Sequence, residues 1–474
     1  MREPPPSKPH ASRDAFAAVL YGLALVLGLL RFVRLGHWGL WFDEVLTWGD
    51  SHSGLRGVVN DAGYLFVRTT VERLGGVPTE AHLRFLPAVA GYAAIPLAHW
   101  AFRPFAGRRR AALAALVVAV SAWQLQWSQT ARFYSLVQAI GLLGAGIAVR
   151  GQMAASLWRT AVGIAVAGSG LAFHLCGGIL AAALTAGLVI VPPSDTRAAK
   201  RAIRGAVALF LVPAVFVVPS VHGAWSRYAG NKAVDDPLGG VAHLALSTGS
   251  FVTPALAALA LASAILALGQ RDRRALFALA VPLFGGSALA GAAALATASA
   301  QYAFPLFPWI ALVAVWPIGF PELARRRFAP LAFVLVAALP QLAESALYMT
   351  VQHGQRPRWR EAIEYVAARR EPGEIVVSLP AAVTEFYLTG GLETDVRSDD
   401  FVVPLDKFHP DSYAPWADDG RPMWIVLRTD YLNRFSAEDR GRLRRFLSQE
   451  CRLARSFPVF VEARDLSIEV WRYR

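Results

Sequence analysis

The sequence predicts an α-helical polytopic membrane protein that crosses the bilayer about eleven times and carries a small C-terminal α/β domain. Of its 474 residues, 55% are hydrophobic and only 17% are charged, which is unusual for a water-soluble protein. The apolar residues are gathered in runs close to the length of a membrane-crossing helix. After residue 350 the composition becomes that of an ordinary soluble protein. We therefore expect a transmembrane module at 1–350 and a separate domain at 351–474.

The predicted spans follow one another at short intervals from the N-terminus to residue 349. The first run has no small-x-small cleavage site behind it, so we expect an uncleaved helix and not a removed signal sequence. The eleven runs lie at 15–35, 83–102, 111–127, 133–149, 157–173, 176–191, 203–221, 251–268, 275–298, 302–320 and 328–349.

Short basic clusters separate alternate runs, as at 108–110, 271–274 and 325–327. Loops rich in Lys and Arg remain in the cytoplasm. We therefore expect a protein of the cell (inner) membrane with a cytoplasmic N-terminus and, after an odd number of spans, an extracytoplasmic C-terminal domain. This distribution also accounts for the formal charge of +13. No basic patch is interleaved with aromatic residues as in nucleic-acid interfaces, so we expect no nucleic-acid partner.

Two longer loops are predicted on the outer face, at 36–82 and 222–249. The first is half apolar, with a spacing typical of short helices that lie in the membrane interface. The two cysteines, Cys176 in an apolar run and Cys451 in the tail, are not expected to form a disulfide. The tail should fold around its own core, with helices at 359–370, 383–389 and 437–450 and strands at 374–379, 424–428 and 466–473.

Two adjacent acids, Asp43 and Glu44, stand among aromatic residues shortly after the first run. Charges are costly to desolvate there, which favours a functional explanation. Neighbouring residues of a helix point about 100° apart, so the two carboxylates cannot share one task. One could act as a general base while the other orients a partner. The alternative is a solvated pair at a helix end, and the residues alone leave both open.

A second candidate is the segment 128–135, in which Arg132 and Tyr134 begin the fourth span on the outer face. An arginine there can hold a phosphate through its planar fork of N–H groups. The alternative is an anchor whose charged end reaches the headgroup region. By the loop count, several polar residues share this face, and we expect them to converge on one cavity suited to a lipid-phosphate donor: Asp43, Glu44, Arg84, Arg132, His174 and Tyr302.

These segments resemble the GT-C class of polyprenyl-phosphate-sugar glycosyltransferases, in the branch related to protein O-mannosyltransferases and lipid A aminoarabinose transferases. The elements occur in the family's order along nearly the whole chain. They are LWFDEVLTW, HLRFLPAVAG, SQTARFYSLVQAI, FHLCGGILAAA, QYAFPLFPWIALV and, at the start of the tail, RPRWREAIEYVAARREPGEIVV.

The resemblance implies an inverting transfer of a sugar from a polyprenyl-phosphate donor to an unidentified extracytoplasmic hydroxyl. It assigns Asp43 as the general base and Glu44 as a positioning group. It implies no certain cofactor and identifies no metal ligand in this sequence, although a divalent metal is used by some relatives. The donor phosphate would be bound by Arg132, Arg84, Tyr134 and Tyr302, and the substrate pocket would include His174, Asp61 and Tyr64.

Two features of the sequence depart from the family. Segment 60–65, Asn-Asp-Ala-Gly-Tyr-Leu, replaces the His-Pro-Pro-Leu-Tyr-Tyr of many relatives, and Gln301-Tyr302 replaces a late Arg-Tyr. A non-catalytic relative that acts as an assembly partner therefore remains an alternative. A transporter or lipid flippase is a second alternative, although the sequence lacks the paired halves that many transporters show.

Overall fold

A computed structural model of the chain describes residues 10–52, 59–326, 328–389, 402–406, 409–461 and 464–474. Its residues fall into two compact units, and each unit combines segments that are distant in sequence. The first comprises Met1–Val33, Leu55–Leu65 and Pro87–Ser345, and the second comprises Arg34–Gly54, Phe66–Leu86 and Ala346–Arg474, within the described ranges.

The N-terminal half of the chain is helical wherever it is described, apart from short connections. The helices are α1 (His10–Gly28), α2 (Phe42–His52), α3 (Asp61–Arg73), α4 (Glu80–Ala106), α5 (Arg108–Val120), α6 (Ala122–Ser128), α7 (Tyr134–Met153), α8 (Leu157–Ser169) and α9 (Leu175–Ile190). The helices up to the C-terminal domain continue as α10 (Arg197–Lys232), α11 (Pro237–Gly249), α12 (Pro254–Gln270), α13 (Arg273–Ala293), α14 (Phe307–Ala314), α15 (Pro321–Arg325) and α16 (Ala329–Met349).

Several of these helices have the length and composition of membrane spans. Five helices meet these criteria singly. Two bent pairs, α5 with α6 at 62° and α11 with α12 at 108°, meet them together, which gives up to seven spans among the described residues. Shorter apolar helices follow at Leu157–Ala172, Leu175–Ile190 and Phe304–Ala314. The predicted count of eleven crossings stays a prediction. The five helices that suffice singly are Ala15–Phe32, Glu80–Ala106, Tyr134–Met153, Arg273–Ala293 and Ala329–Met349.

Two predictions about the membrane module are wrong in detail. The tenth run is not one helix: only α14 within it is an α-helix, and the short 3-10 turns on either side contain Pro305 and Pro317. Proline removes a backbone donor and clashes with the preceding turn. The predicted outer loop at 222–249 is largely helical, because α10 continues to Lys232 and α11 begins at Pro237.

The second unit combines the described part of the first predicted outer loop with the C-terminal tail. The Tyr387 hydroxyl donates to Glu80 Oε1 at 2.9 Å and accepts from the backbone N–H of Leu40 at 2.5 Å. Arg360 donates to the same Glu80 oxygen at 3.2 Å and to the carbonyl of Gly36 at 3.2 Å. The loop and the tail therefore lie on one side of the membrane, and which side is extracytoplasmic stays a prediction.

The tail contains a five-stranded mixed sheet with the strand order β2-β1-β3-β7-β4. Strands β1 and β3 are buried along their whole length, as the apolar runs in the sequence predict. The strands are β1 (Ile375–Leu379), β2 (Val402–Pro404), β3 (Met423–Arg428), β4 (Cys451–Phe457) and β7 (Ile468–Tyr473), beside a two-stranded pair of β5 (Phe460–Val461) and β6 (Arg464–Asp465). Helices α17 (Trp359–Ala367), α18 (Ala381–Thr389), α19 (Ala414–Asp418) and α20 (Ala437–Glu450) accompany them.

These features confirm the predicted fold class, a helical polytopic membrane protein with a small C-terminal α/β domain. Strand β4 escaped prediction because it is an edge strand with arginines exposed along it, and such strands lack the apolar alternation of half-buried ones. Its pairing to β7 contains an irregularity between Leu453 and Arg455.

Candidate active site

In the second unit, Glu44 lies in the first turn of α2, where the helix dipole favours a negative charge. Its carboxylate is completely buried and paired with Arg84, which is also completely buried. Arg84 Nε donates to Glu44 Oε1 at 2.7 Å, and Nη2 donates to Glu44 Oε2 at 2.7 Å. This two-point geometry is the strong form of an arginine–carboxylate pair.

The remaining N–H groups of Arg84 are directed at backbone carbonyls. They donate to Trp38 at 2.7 Å, Gly39 at 2.8 Å and Leu35 at 3.3 Å. A guanidinium has five N–H donors, and this geometry directs all of them to protein oxygens. We therefore interpret Arg84 as the residue that fixes the segment before α2, in place of the phosphate ligand that the resemblance suggests.

A second arginine, Arg356, reaches the same carboxylate. Its Nε lies 3.6 Å from Glu44 Oε2, and its Nη1 donates to the Tyr348 hydroxyl at 3.0 Å and to the Gly354 carbonyl at 2.8 Å. No sequence pattern connects Arg356 with Glu44, because the two residues are more than 300 positions apart. Glu44 thus contacts two arginines from distant segments of the chain.

Asp43 has a different environment from its neighbour. Its side chain is half-buried, whereas that of Glu44 is completely inaccessible to solvent. Its backbone carbonyl accepts a hydrogen bond from Thr47 Oγ1 at 2.8 Å within α2. The two adjacent carboxylates therefore differ in burial, and Asp43 is the one that retains access to solvent.

In the first unit, an aromatic cluster brings together three residues that the sequence singled out. The rings of His174 and Tyr302 stack with their centroids 5.5 Å apart. Tyr134 contacts both of them, at 5.0 Å from His174 and 6.2 Å from Tyr302. His174 is the N-cap of α9, and its ring accepts from the backbone N–H of Cys176 at 3.2 Å. These three predicted residues thus meet although they come from three segments of the chain.

Arg132 lies in the turn that precedes α7 and is half-buried. The turn is held by Gln129, whose Nε2 donates to the carbonyls of Val33 at 2.7 Å and Arg31 at 3.1 Å. The charges of Arg132 and Lys232 both act on the ring of His174. The aromatic cluster therefore lies within the electrostatic influence of two cations.

The predicted pocket residues Asp61 and Tyr64 belong to the start of α3, which begins at Asp61. The Tyr64 ring packs edge-on against Phe133, next to Arg132, with centroids 5.2 Å apart. A Cβ on Gly63 would lie 2.7 Å from the Phe133 ring, so this glycine permits the close packing. Tyr64 is thus placed beside the Arg132 turn, and Asp61 lies one helical turn before it.

A cavity of about 680 Å³ opens beside the aromatic cluster. His174 and Tyr302 line it, together with Asn60, which directly precedes α3. Most of the remaining lining is apolar and comes from helices, including Leu171, Ile179, Ala288 and Leu295. A largely apolar cavity with a few polar groups is typical of sites for amphipathic ligands.

Sequence reasoning missed the contribution of α10 to this cavity. Trp225 and Tyr228 line it, and the ammonium of Lys232 lies 4.9 Å from the centre of the Tyr228 ring. Tyr228 also packs against Tyr302, with centroids 6.0 Å apart. The three α10 residues have the spacing i, i+3 and i+7 of one helical face. This pattern could have indicated a helix where a loop was predicted.

Among the described residues, no three His, Cys, Asp or Glu side chains gather into a metal ligand set. Both oxygens of Glu44 are engaged by Arg84. Glu44 is therefore held as an arginine partner in this conformation, and we derive no step through a metal ion.

No protein-family model matches the sequence, and no curated protein does. Solved structures do match its fold. ArnT from Cupriavidus metallidurans in the apo state superposes with a TM-score of 0.54 at 16% identity, covering 98% of each chain. The same protein bound to undecaprenyl phosphate matches with a TM-score of 0.51, again at 16% identity and 98% coverage of each chain. The chain has the GT-C fold.

A second GT-C structure supports this conclusion from a different organism. An oligosaccharyltransferase of Archaeoglobus fulgidus, in complex with Zn and sulfate, matches with a TM-score of 0.53 at 12% identity. The match covers 87% of this chain and 68% of the oligosaccharyltransferase. These sequence identities are low, so the likeness establishes the GT-C fold alone. The activity must be argued from the residues.

Proposed function

We propose that this protein is a membrane glycosyltransferase that moves a sugar from a polyprenyl-phosphate donor to a hydroxyl acceptor. One observation carries the proposal above the others: in a GT-C fold, a largely apolar cavity is bordered by the cluster of His174, Tyr302 and Tyr134. The ArnT structure, which has the same fold, was solved with undecaprenyl phosphate bound. Apolar walls suit a polyprenyl chain, while cations and hydroxyls suit its phosphate.

The donor phosphate would be bound by the polar groups of the first unit. Arg132 supplies a planar fork of N–H donors, and the hydroxyls of Tyr134 and Tyr302 supply single donors. Lys232 adds a second positive charge that the sequence had not indicated. In the reaction, negative charge accumulates on the phosphate oxygen as the bond to the sugar breaks, and preorganised cations stabilise that charge.

Asp43 would be the general base. Its carboxylate takes the proton of the acceptor hydroxyl while that oxygen forms a bond to the anomeric carbon of the sugar. The bond between that carbon and the phosphate oxygen breaks with its electron pair going to the phosphate, which leaves as the polyprenyl phosphate. Attack opposite to the leaving group inverts the anomeric centre. The acceptor hydroxyl must be able to reach the base, and the half-buried Asp43 is more accessible than the completely buried Glu44.

The first prediction concerns the purified protein with a synthetic polyprenyl-phosphate sugar and an acceptor-bearing envelope extract. Asp43→Asn should lower turnover about 10²- to 10⁴-fold, the usual contribution of a general base. Asp50→Asn, in the last turn of the same helix, is the matched control and should retain activity.

In the same assay, Arg132→Gln should lower turnover about 10²- to 10³-fold, because it removes a charge that stabilises the leaving phosphate. Its control is Arg159→Gln, at the exposed start of α8, which should leave turnover unchanged.

The same experiment separates the alternatives. Normal turnover by Asp43→Asn would contradict the assignment of the base. A wild-type protein that moves lipid or substrate across sealed vesicles without any glycosylated product would be a transporter or flippase. The third alternative is a non-catalytic relative that acts as an assembly partner. It would be supported if the wild type lacked turnover and if a complex containing the protein still functioned after both Asp43 and Glu44 were replaced.

A further inference from the structure

A second cavity, of about 540 Å³, lies apart from the cavity beside His174 and has a different composition. It is formed where α9 ends, α10 begins, and α12 gives way to α13. Four of the side chains that line it are cations. We call it the basic cavity, and its charged lining consists of Lys200, Arg204, Arg271 and Arg273.

Only part of this positive charge is neutralised by the protein. Asp195, which is exposed, forms ion pairs with Lys200 at 2.9 Å and with Arg273. These bonds hold the pKa of the Asp195 carboxyl below its ordinary value, so it is ionised at neutral pH. Two carboxylates, Asp195 and the neighbouring Asp272, stand against the four cations and leave a net charge of two. Asp272 also caps α13 and accepts from Trp316 Nε1.

The connections that carry these cations are helix ends with defined caps. Thr196 Oγ1 accepts from the backbone N–H of Ala199 at 3.0 Å and fixes the start of α10. Arg271 ends α12 in the left-handed conformation, with φ of 51°, and Asp272 begins the next helix. The cations are therefore presented by defined helix ends, which position charges more precisely than long loops do.

The rest of the lining of the basic cavity is mostly apolar, and part of it is exposed. Val189 and Ile190, the last two residues of α9, are 47% and 62% exposed. Pro192 and Leu276 belong to the same apolar lining. The cations stand at the ends of apolar helices, where the positive-inside rule places the membrane surface. The cavity thus combines positive charge with apolar surface, which complements the anionic headgroup and the acyl chains of a lipid.

We propose that the basic cavity binds the headgroup of an anionic phospholipid, with its cations around the phosphate and its apolar lining against the acyl chains. Basic pockets between membrane helices recognise such headgroups. The net charge favours an anionic lipid over a zwitterionic one. A phospholipid at this place would hold together the ends of α9, α10, α12 and α13 without taking part in the sugar transfer.

The test is titration of the delipidated full-length protein in detergent, followed by native mass spectrometry. Cardiolipin and phosphatidylglycerol should bind saturably, and phosphatidylcholine should bind at least tenfold more weakly. The double variant Arg204→Gln/Arg271→Asn removes two cations, and asparagine tolerates the left-handed conformation at 271. It should weaken cardiolipin binding about 30-fold, as expected for two basic residues near a lipid phosphate.

The matched control is Arg201→Gln, an exposed residue of α10 that does not line the basic cavity. It should leave binding within about twofold of the wild type. Equal affinity of the double variant and the control, or equal binding of anionic and zwitterionic lipids, would overturn the proposal. So would displacement of the lipid by millimolar inorganic phosphate, because that result indicates a site for free phosphate. Both variants should elute as the wild type does, which separates lost binding from lost folding.

Discussion

At the scale of single residues, the two adjacent carboxylates show what a sequence can and cannot reveal. The helix period alone shows that Asp43 and Glu44 point in different directions. It does not reveal that Glu44 is engaged by Arg84, because that pairing joins residues 40 positions apart. The pairing also affects the interpretation of Arg84. All its N–H groups are bonded to protein oxygens, so in this conformation it has a structural role and not that of a phosphate ligand.

Replacement of Arg84 by lysine tests this role. Lysine has three N–H donors on a flexible stem and cannot reproduce the fork to Glu44 or the bonds to the carbonyls of 35–39. Breaking a buried pair costs about 3–5 kcal/mol of unfolding free energy, so thermal unfolding in detergent should occur at a markedly lower temperature. The donor KM of the protein that remains folded should be unchanged. A raised KM with unaltered stability would instead make Arg84 a phosphate ligand.

His353 gives a residue-scale prediction about pH. Burial lowers the pKa of His353 from 6.5 to about 4, against the opposing charge of Glu361 and with the help of Arg358 and His37. Between pH 6.5 and about 4 the unfolded chain binds a proton that the folded chain does not. The contribution of His353 to the free energy of unfolding should therefore be highest above pH 6.5 and fall as the pH is lowered towards 4.

The check is denaturant unfolding of the wild type and of His353→Gln at several pH values. The free energy of unfolding of the variant should fall less below pH 6.5 than that of the wild type, because glutamine does not titrate. Identical pH profiles for the two proteins would show that other groups determine the acid sensitivity.

At the scale of elements, the apolar runs predicted the helices well but not how they pack. Ten of the eleven runs correspond to described helices or helix pairs, and the remaining run is divided by prolines. Hydropathy indicates that a segment is apolar, whereas helix continuity depends on backbone donors that proline lacks. The tail strands β1, β3 and β7 could be predicted from apolar periodicity, but the polar edge strand β4 could not.

The contact between α7 and α8 depends on small residues. A Cβ on Gly163 would overlap the backbone of Ala148, and one on Gly144 would overlap the backbone of Ala167. Close approach through glycine is a common way for membrane helices to associate, because lipid provides little hydrophobic drive.

Gly163→Leu should therefore separate the two helices and destabilise the folded protein by more than about 2 kcal/mol, as overpacking against backbone does. Gly291→Leu in α13 is the control, since nothing lies within 4 Å of the added Cβ. The measurement is thermal unfolding of the two variants in the same detergent. Equal stability would show that α7 and α8 can move apart without cost.

At the scale of the whole molecule, chain order concealed how the protein is divided. The segments 34–54 and 66–86 belong to the same compact unit as the tail, although more than 250 residues separate them from it in sequence. Of the six residues predicted to converge on one cavity, His174 and Tyr302 stack on each other, and Tyr134 packs against both. Their role in a shared site stays a prediction. That Asp43 and Arg132 serve one reaction stays a prediction.

The measurement that tests the central claim most directly is mass spectrometry of the cell-envelope glycans from a strain that lacks this protein. The strain is complemented either with the wild type or with Asp43→Asn at equal membrane levels. We predict that one sugar-bearing envelope species disappears in the deletion strain, returns with the wild type and stays absent with Asp43→Asn. An envelope whose glycans are the same in all three strains would contradict the assignment of a glycosyltransferase.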